Sequence, residues 1–241
     1  MPKSRSQEPD GTVPSLTGQH WTQSYPFSCG PAALGSMLTT LGWTSSRGRS
    51  AEELALWREV TAVACPGAHP LGLALAARRR GFSSEVRIDG TRPWLGDHIR
   101  SAHHMLRPRD YSRVEGYLLR ECEELGIPVR WGAVSPREST TCLLLVAERG
   151  RSTSGPDPHW VGLIPTVNGV WVSDPLRRRR YPSRRSLAEW WDNSGFDGTK
   201  SWVGIWKSDA THPTPGVPNP AVGTRPERAA RLKRPDGRKH P

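Results

Sequence analysis

Apolar residues in the first half of the chain recur every three to four positions, which is the spacing of an amphipathic helix. The clearest stripe runs from Cys29 to Leu41, and Gly42 follows it as a stop signal. Ser50 precedes a second stripe that reaches Val60, with Glu53 in the position that completes a capping box. Two further helices are predicted, over 71–80 with Gly81 as its stop and over 110–125 with Asp110 as its cap and Gly126 and Pro128 at its end.

The second half of the chain changes to short runs rich in β-branched and aromatic residues, separated by Gly, Pro and Asn. These predicted strands cover residues 128–131, 141–147, 160–165, 170–173 and 202–206. An earlier strand is predicted at 83–88, and one more helix at 186–191. Since most helices come first and antiparallel-looking strands follow them, the order of elements indicates an α+β fold.

The two ends of the chain differ in composition from its body. Residues 1–18 are rich in Ser, Pro and Gly, and residues 208–241 form a Pro-rich basic tail. Neither end carries enough apolar residues to bury, so we expect both to be disordered. The body between them, residues 19–207, is predicted to be one domain.

The formal net charge is +11, from 34 Lys and Arg against 23 Asp and Glu. The excess is concentrated in Arg78–Arg80, Arg177–Arg180 and the tail from Arg225 to Lys239. Such runs indicate either a solvated basic face, which we favour, or a weak contact with a polyanion through the tail. The chain shows no signal peptide and no apolar run of about 18 residues, so we expect a cytoplasmic protein with no membrane partner. The oligomeric state does not follow from the sequence.

The residues that bind metals and nucleotides do not occur in the usual patterns. The four cysteines, Cys29, Cys65, Cys122 and Cys142, lack CxxC spacing and predict neither a zinc site nor a disulfide framework. The adjacent pair His103-His104 has poor geometry for binding one metal ion. Neither a GxxxxGK[ST] motif nor a GxGxxG motif after a strand is present. The sequence therefore predicts no metal and no cofactor.

The segment Gln23-Ser-Tyr-Pro-Phe-Ser-Cys29-Gly-Pro-Ala places a cysteine in the first turn of the first predicted helix. Backbone N–H groups in a first turn have no partner within the helix, and the helix dipole favours a negative group there. A thiolate is stabilised in that position, as a nucleophilic cysteine requires near neutral pH. The alternative is that Cys29 is a small buried hydrophobic residue, as most cysteines are.

Two neighbours of Cys29 could serve the same chemistry. Gln23 stands six residues earlier, where its side-chain amide could donate to the oxyanion of an acyl intermediate, although a solvent-facing loop glutamine is the simpler interpretation. Gly30 permits a substrate backbone to come close.

A second group of candidate residues lies in the strand region. His159 comes at the start of one predicted strand and Asp174 at the end of the next, with an Asn168-Gly169 turn between them. Because a hairpin brings those two ends together, the carboxylate could orient the imidazole as a general base. Trp160, beside His159, is expected to wall the cleft, with core packing as the alternative.

Together these residues resemble a known family. The order Gln23, Cys29-Gly-Pro-Ala, His159-Trp-Val and Asp174-Pro resembles the papain-like peptidases related to bacteriocin-processing double-glycine peptidases, and especially the stand-alone bacterial proteins termed peptidase family C-39-like. Two further blocks, 56–61 and 72–82, share the resemblance. It implies a papain-like fold with a helical lobe carrying Cys29 and a β-rich lobe carrying His159 and Asp174. It also implies Cys29 as nucleophile, His159 as base, Asp174 as its orienting partner and Gln23 as oxyanion donor.

Three functions remain open from the sequence. The first is a cysteine peptidase that hydrolyses a peptide or isopeptide bond, or a small amide, through an acyl-thioester on Cys29. The second is an acyltransferase or amide synthase, in which an amine intercepts the same thioester before water does. The third is a non-catalytic module that binds a peptide in the cleft. We predict the peptidase; the sequence does not identify its substrate.

Overall fold

The computed structural model describes residues 19–61, 67–89, 108–132, 141–148, 157–166, 169–176, 178–181 and 200–208. The helices are α1 (Cys29–Thr40), α2 (Arg49–Val60), α3 (Pro70–Arg79) and α4 (Pro108–Glu124). The strands are β1 (Phe82–Ile88), β2 (Val129–Trp131), β3 (Cys142–Glu148), β4 (Asp157–Thr166), β5 (Gly169–Ser173), β6 (Arg178–Tyr181) and β7 (Ser201–Lys207). The predicted helix at 186–191 and the greater part of both predicted tails lie outside the described residues, as do His103, His104, Cys65 and Asn168.

The glycines predicted to end the helices do so, whereas two of the predicted N-caps are wrong. Gly42, Gly81 and Gly126 all have positive φ just after α1, α3 and α4, a conformation in which glycine carries no steric penalty. The predicted capping box of α2 is wrong, because the N-cap is Gly48 and no side chain caps this helix. The predicted cap Asp110 is also wrong: α4 begins earlier, at Pro108, and Asp110 lies in its first turn.

The seven strands form one sheet in the order β2-β1-β7-β3-β4-β5-β6. Every neighbouring pair is antiparallel except β1 and β2, which are parallel. The expectation that all strands are antiparallel is therefore wrong for β1 and β2. Parallel neighbours need a long crossover connection, and α4 provides it between these two strands. The mixture of helices and sheet confirms the α+β class. The edge strand β6 was not predicted, because its residues are dominated by arginine.

Both faces of the sheet bury apolar side chains, as the alternation along β3 demonstrates. Leu143 and Leu145 belong to the cluster that includes the helices, whereas Leu144 and Val146 belong to a second cluster made only of strand residues. Residues that alternate along a strand point to opposite faces, so the two clusters lie on opposite sides of the sheet. Trp206 of β7 belongs to neither cluster, because 38% of its surface is exposed.

Close packing of α1 on β4 fixes the position of the candidate site. A Cβ built on Gly162 of β4 would lie 2.3 Å from the Cε of Met37 of α1, so the absence of a side chain allows the helix to approach the strand. On its other side α1 is covered by Trp21, whose ring would lie 2.4 Å from a Cβ at Gly35. The helix that begins with Cys29 is therefore held against the strand that contains His159.

Candidate active site

Cys29 is the first residue of α1 and is nearly buried, with 8% of its surface exposed. The preceding residue, Ser28, is the N-cap, but its side chain makes no capping hydrogen bond to the helix. Pro31 occupies the third position, where it has no N–H to satisfy. Cys29 lies in the first turn of this helix, as the sequence pattern predicted, and the structure adds that no side chain caps the first-turn N–H groups.

The register of the β4–β5 hairpin brings His159 and Asp174 together. Gly162 pairs with Ser173, so the next residue, Asp174, stands across from Val161. Asp174 is then the diagonal neighbour of His159 on the same face, a separation that a carboxylate and an imidazole can bridge. The predicted juxtaposition of the two strand ends is present: His159 Nε2 lies 2.9 Å from Asp174 Oδ1.

The hydrogen bonds of this pair define how the imidazole is oriented. An ionised carboxylate only accepts, so Nε2 of His159 carries a proton and donates a hydrogen bond to Asp174. The same Oδ1 accepts from the backbone N–H of Leu176 at 2.9 Å, which fixes the carboxylate in turn. The Cys29 thiol is near enough to His159 to raise the pKa of the imidazole. With Nε2 committed to Asp174, Nδ1 is the ring nitrogen that remains for the thiol.

These contacts change the acidity of His159. Burial of the ring, the largest influence, lowers the pKa of His159, but the hydrogen bonds and charges of Asp174 and Cys29 outweigh burial and raise it to about 10. Exposure falls from Cys29 at 8% through His159 at 5% to Asp174 at 3%. The carboxylate therefore acts on the imidazole in a poorly hydrated environment, and Cys29 is the most exposed of the three residues.

Gln23 lies beside the Asp174 turn. Its backbone N–H donates to the carbonyl of Pro175 at 3.1 Å, and its side-chain Nε2 donates to the carbonyl of Tyr25 at 3.0 Å. A carbonyl only accepts, so the Tyr25 contact fixes which end of the amide is nitrogen and leaves the second Nε2 hydrogen available. The nearby contact of His20 Nδ1 with the Ser173 hydroxyl at 2.9 Å joins the same two segments.

The buried carboxylate of Glu53 holds the loop before Cys29, although the sequence suggested that Glu53 belongs to a capping box. Glu53 on α2 is fully buried and accepts from the Ser24 N–H at 2.8 Å and the Ser24 hydroxyl at 2.6 Å. Its carboxylate also accepts a short hydrogen bond from the Ser28 hydroxyl. A glutamate on the buried side of a predicted helix is the signal that could have identified it, because such a residue requires partners from elsewhere in the fold.

The two predicted cleft residues, Gly30 and Trp160, are buried behind Cys29. A Cβ on Gly30 would lie 2.5 Å from that of Ala68 and 3.2 Å from the Trp160 ring, so protein atoms already fill the space in that direction. Trp160 is 2% exposed and its indole N–H donates to the carbonyl of Ala68 at 3.0 Å. Their observed role is to pack the helix onto the strand; contact with a substrate stays a prediction.

The other cysteines in the described residues have a different environment. Burial raises the pKa of Cys122 to about 12, with a further rise from Glu121, and burial raises that of Cys142 to about 12 as well. Both are free thiols, and neither has the histidine partner that Cys29 has. Among the described residues, no group of three or more His, Cys, Asp or Glu is arranged to bind a metal ion. None of the described helices has the length and apolar character needed to cross a bilayer.

The fold and the site define an α+β protein in which a cysteine at a helix N-terminus lies near a histidine–aspartate pair of the sheet. A sequence profile of the Peptidase_C39-like family matches residues 19–185, which is more than half of the chain and includes Gln23, Cys29, His159 and Asp174. The chain belongs to the Peptidase_C39-like family, as its motifs predicted. No curated protein matches it.

Proposed function

We propose that the protein is a papain-like cysteine peptidase in which Cys29, His159 and Asp174 form the catalytic triad. The observation that carries this proposal is the 2.9 Å contact of His159 Nε2 with Asp174, beside a helix N-terminal Cys29 that is near enough to His159 to raise its pKa. Membership of the Peptidase_C39-like family supports it. In this arrangement the helices supply the nucleophile and the sheet supplies its base and the orienting carboxylate, which is the division of roles in a papain-like fold.

Acylation begins with transfer of the thiol proton to His159, which forms a thiolate and an imidazolium. The sulfur attacks the carbonyl carbon of the substrate, and the carbonyl oxygen becomes an oxyanion. The backbone N–H of Cys29 and the second amide hydrogen of Gln23 are the donors that stabilise this charge. The imidazolium then gives its proton to the leaving nitrogen, the C–N bond breaks, and an acyl-thioester remains on Cys29.

Deacylation reverses the roles of the same groups. His159, now neutral, removes a proton from a water molecule as that water attacks the thioester carbonyl. The C–S bond breaks, the acid product leaves, and the proton returns from His159 to the sulfur. Asp174 holds the ring through Nε2 in both halves, so that Nδ1 stays directed at the reacting groups.

The first test is the pH dependence of Cys29 alkylation by iodoacetamide, followed by mass spectrometry of the modified peptides. We expect Cys29 to react well below pH 8 in the wild type and much more slowly in His159→Ala, because the imidazole no longer accepts the thiol proton. Cys122 and Cys142 serve as internal controls, since both are buried with a pKa raised to about 12 and should stay unmodified in folded protein. Equal reactivity of Cys29 in the two proteins would falsify the triad.

Turnover is tested in the same preparations with a library of fluorogenic peptidyl amides. Cys29→Ala should keep the fold and lose all cleavage, because no other described residue replaces the sulfur in the chain of contacts. Adding a primary amine identifies the acceptor: free acid as the main product supports hydrolysis, and a new amide would reassign the protein to the acyltransferases. A Cys29 that is unreactive toward iodoacetamide at pH 6, in a protein that cleaves no amide in the library, would favour the peptide-binding alternative.

A further inference from the structure

Glu53 lies on α2 but makes its contacts outside that helix. Its side chain is fully buried, and in the described part of the protein its hydrogen bonds come from neutral donors, the Ser24 N–H, the Ser24 hydroxyl and the Ser28 hydroxyl. Burying a carboxylate costs free energy unless hydrogen bonds compensate for the lost water. Because the donors to Glu53 come from a single loop, their hydrogen bonds fix the conformation of that loop. The loop in question connects Gln23 to Cys29.

Ser28 is the residue whose role Glu53 alters. A serine at the N-cap normally accepts a hydrogen bond from the N–H of the second or third helical residue. Here the third residue is Pro31, which has no N–H, so Gly30 is the partner that a Ser28 cap would use. Instead the Ser28 hydroxyl lies between two acceptors, the charged Glu53 carboxylate and the neutral carbonyl of Tyr25 at 2.9 Å, and its oxygen accepts from the N–H of Tyr25 at 3.2 Å. Since a hydrogen bond to a charged acceptor is the stronger one, Glu53 is the main partner of its single hydrogen.

We propose that Glu53 is a positioning residue that holds the Ser28 hydroxyl away from the N-terminus of α1. The N–H groups of the first turn, including that of Gly30, then act on the Cys29 thiolate and on the oxyanion rather than on a serine cap. This inference rests on the proposed function, because it matters only if Cys29 reacts as a thiolate. In this inference, the buried carboxylate of Glu53 on α2 keeps the N-terminus of α1 uncapped.

The test compares Cys29 alkylation by iodoacetamide between pH 5 and 9 in a matched set of variants. Glu53→Met keeps the volume and removes both acceptor oxygens, so the Ser28 hydroxyl loses its charged acceptor and keeps only the neutral carbonyl of Tyr25. If Glu53 is the group that holds Ser28 off the helix, Ser28 caps α1 in this variant and alkylation at pH 6 slows roughly tenfold. Glu53→Gln keeps one acceptor oxygen for Ser28 and should react within about twofold of wild type. Adding Ser28→Ala to Glu53→Met removes the competing hydroxyl and should restore most of the lost rate.

Two further variants separate positioning from structural damage. Glu52→Met removes the adjacent carboxylate of α2, which is also buried but binds Arg80 at 3.0 Å and Ser45 at 2.8 Å. It should lower stability without moving the alkylation profile. Ser28→Ala alone should react like wild type, since a hydroxyl held off the helix is not needed there, and this variant tests the proposal even if Glu53→Met does not fold.

The outcomes distinguish this inference from the function on which it rests. If wild-type Cys29 is no faster than Cys29 in His159→Ala, the triad and the role of Glu53 both fall. If the triad holds but Glu53→Met reacts like wild type, or Ser28→Ala alone slows Cys29 tenfold, only the role of Glu53 is overturned. A double variant as slow as Glu53→Met would also overturn it, because Ser28 would then not be the competing group.

Discussion

At the scale of single residues, His159 has two neighbours that both favour its charged form. Asp174 and Cys29 each raise the pKa of His159 against the effect of burial, bringing it to about 10. Since this lies above the value of about 6.5 in an unfolded chain, folding binds the proton more tightly. The resulting stabilisation is complete below about pH 6.5 and is lost as the pH rises towards 10.

Replacing Asp174 by Asn should lower the pKa of His159 by roughly one unit or more, because the amide keeps the shape of the side chain but loses its charge. The Leu176 N–H still finds an acceptor in the amide oxygen, so the turn should be retained. The measurement is an NMR titration of the histidine Cε1–H signals, with the His159 signal assigned by its absence in His159→Ala.

Asp110→Asn is the matched control for that titration. Asp110 is a carboxylate on α4 that lies 3.9 Å from Arg113, away from the β4–β5 hairpin, and its loss should not move the His159 signal. A titration midpoint for His159 that is the same in Asp174→Asn and wild type would contradict the assignment of Asp174 as the group that holds the imidazolium.

The sequence predicted the positions of Cys29, His159 and Asp174 correctly where local pattern carries the information, and their catalytic roles stay predictions. A cysteine at the start of an apolar stripe, and a His and an Asp at matching ends of two strands, are visible without the fold. Glu53 was visible too, but as a member of a capping box, because its sequence distance from Ser50 suggested a local contact. Its true partners, Ser24 and Ser28, lie 29 and 25 residues away, and only tertiary packing brings them to it.

At the scale of elements, the contact between α2 and α3 depends on a glycine. A Cβ on Gly72 of α3 would lie 2.6 Å from the backbone oxygen of Val60, the last residue of α2, and a backbone atom cannot rotate away. We expect Gly72→Ala to destabilise the protein by about 1–3 kcal/mol, because the two helices must separate. Urea denaturation followed by circular dichroism measures the effect.

Gly116→Ala on α4 makes the same chemical change in a helix with room for it. The nearest atom to the added Cβ is the Nη1 of Arg120 at 3.8 Å, an ordinary contact. Since alanine favours the helix and glycine does not, we expect stabilisation of about 0.5–1 kcal/mol. If Gly72→Ala and Gly116→Ala changed the free energy of unfolding in the same direction, helix propensity would explain both effects, and the α2–α3 contact would not.

The elements themselves were largely predictable, but their arrangement was not. Hydrophobic period identified α1 to α4, and runs rich in β-branched and aromatic residues between turn signals identified most strands. The parallel pairing of β1 with β2 depends on the crossover through α4, which periodicity does not encode. The predicted start of α3 also missed its cap: the Nδ1 of His69 accepts from the N–H of Leu71 at 3.1 Å, and histidine is not among the usual N-cap residues.

At the scale of the whole molecule, the last described strand lies in the middle of the sheet. β7 pairs with β1 along its whole length, from Ser201 to Lys207, and with β3 on its other side. Its Val203 and Ile205 belong to the cluster under the helices, and its Trp202 belongs to the cluster on the opposite face. The end of the chain's body therefore joins the helical part, which carries Cys29, to the hairpin that carries His159.

Two truncations test this arrangement and the predicted boundary of the domain. A chain ending at Ser208 keeps β7 and the hydrogen bond from the Ser208 hydroxyl to the carbonyl of Gly81. It loses a tail with seven basic and three acidic residues. We expect its melting temperature to stay within about 2 °C of wild type and Cys29 to keep its reactivity, because every buried side chain of the described residues is kept. A chain ending at Lys200 should show no cooperative unfolding transition, since both apolar clusters lose fully buried side chains and β1 and β3 lose their shared neighbour. A large loss of stability on ending at Ser208 would mean that the tail packs on the domain, and the boundary predicted from composition would be wrong.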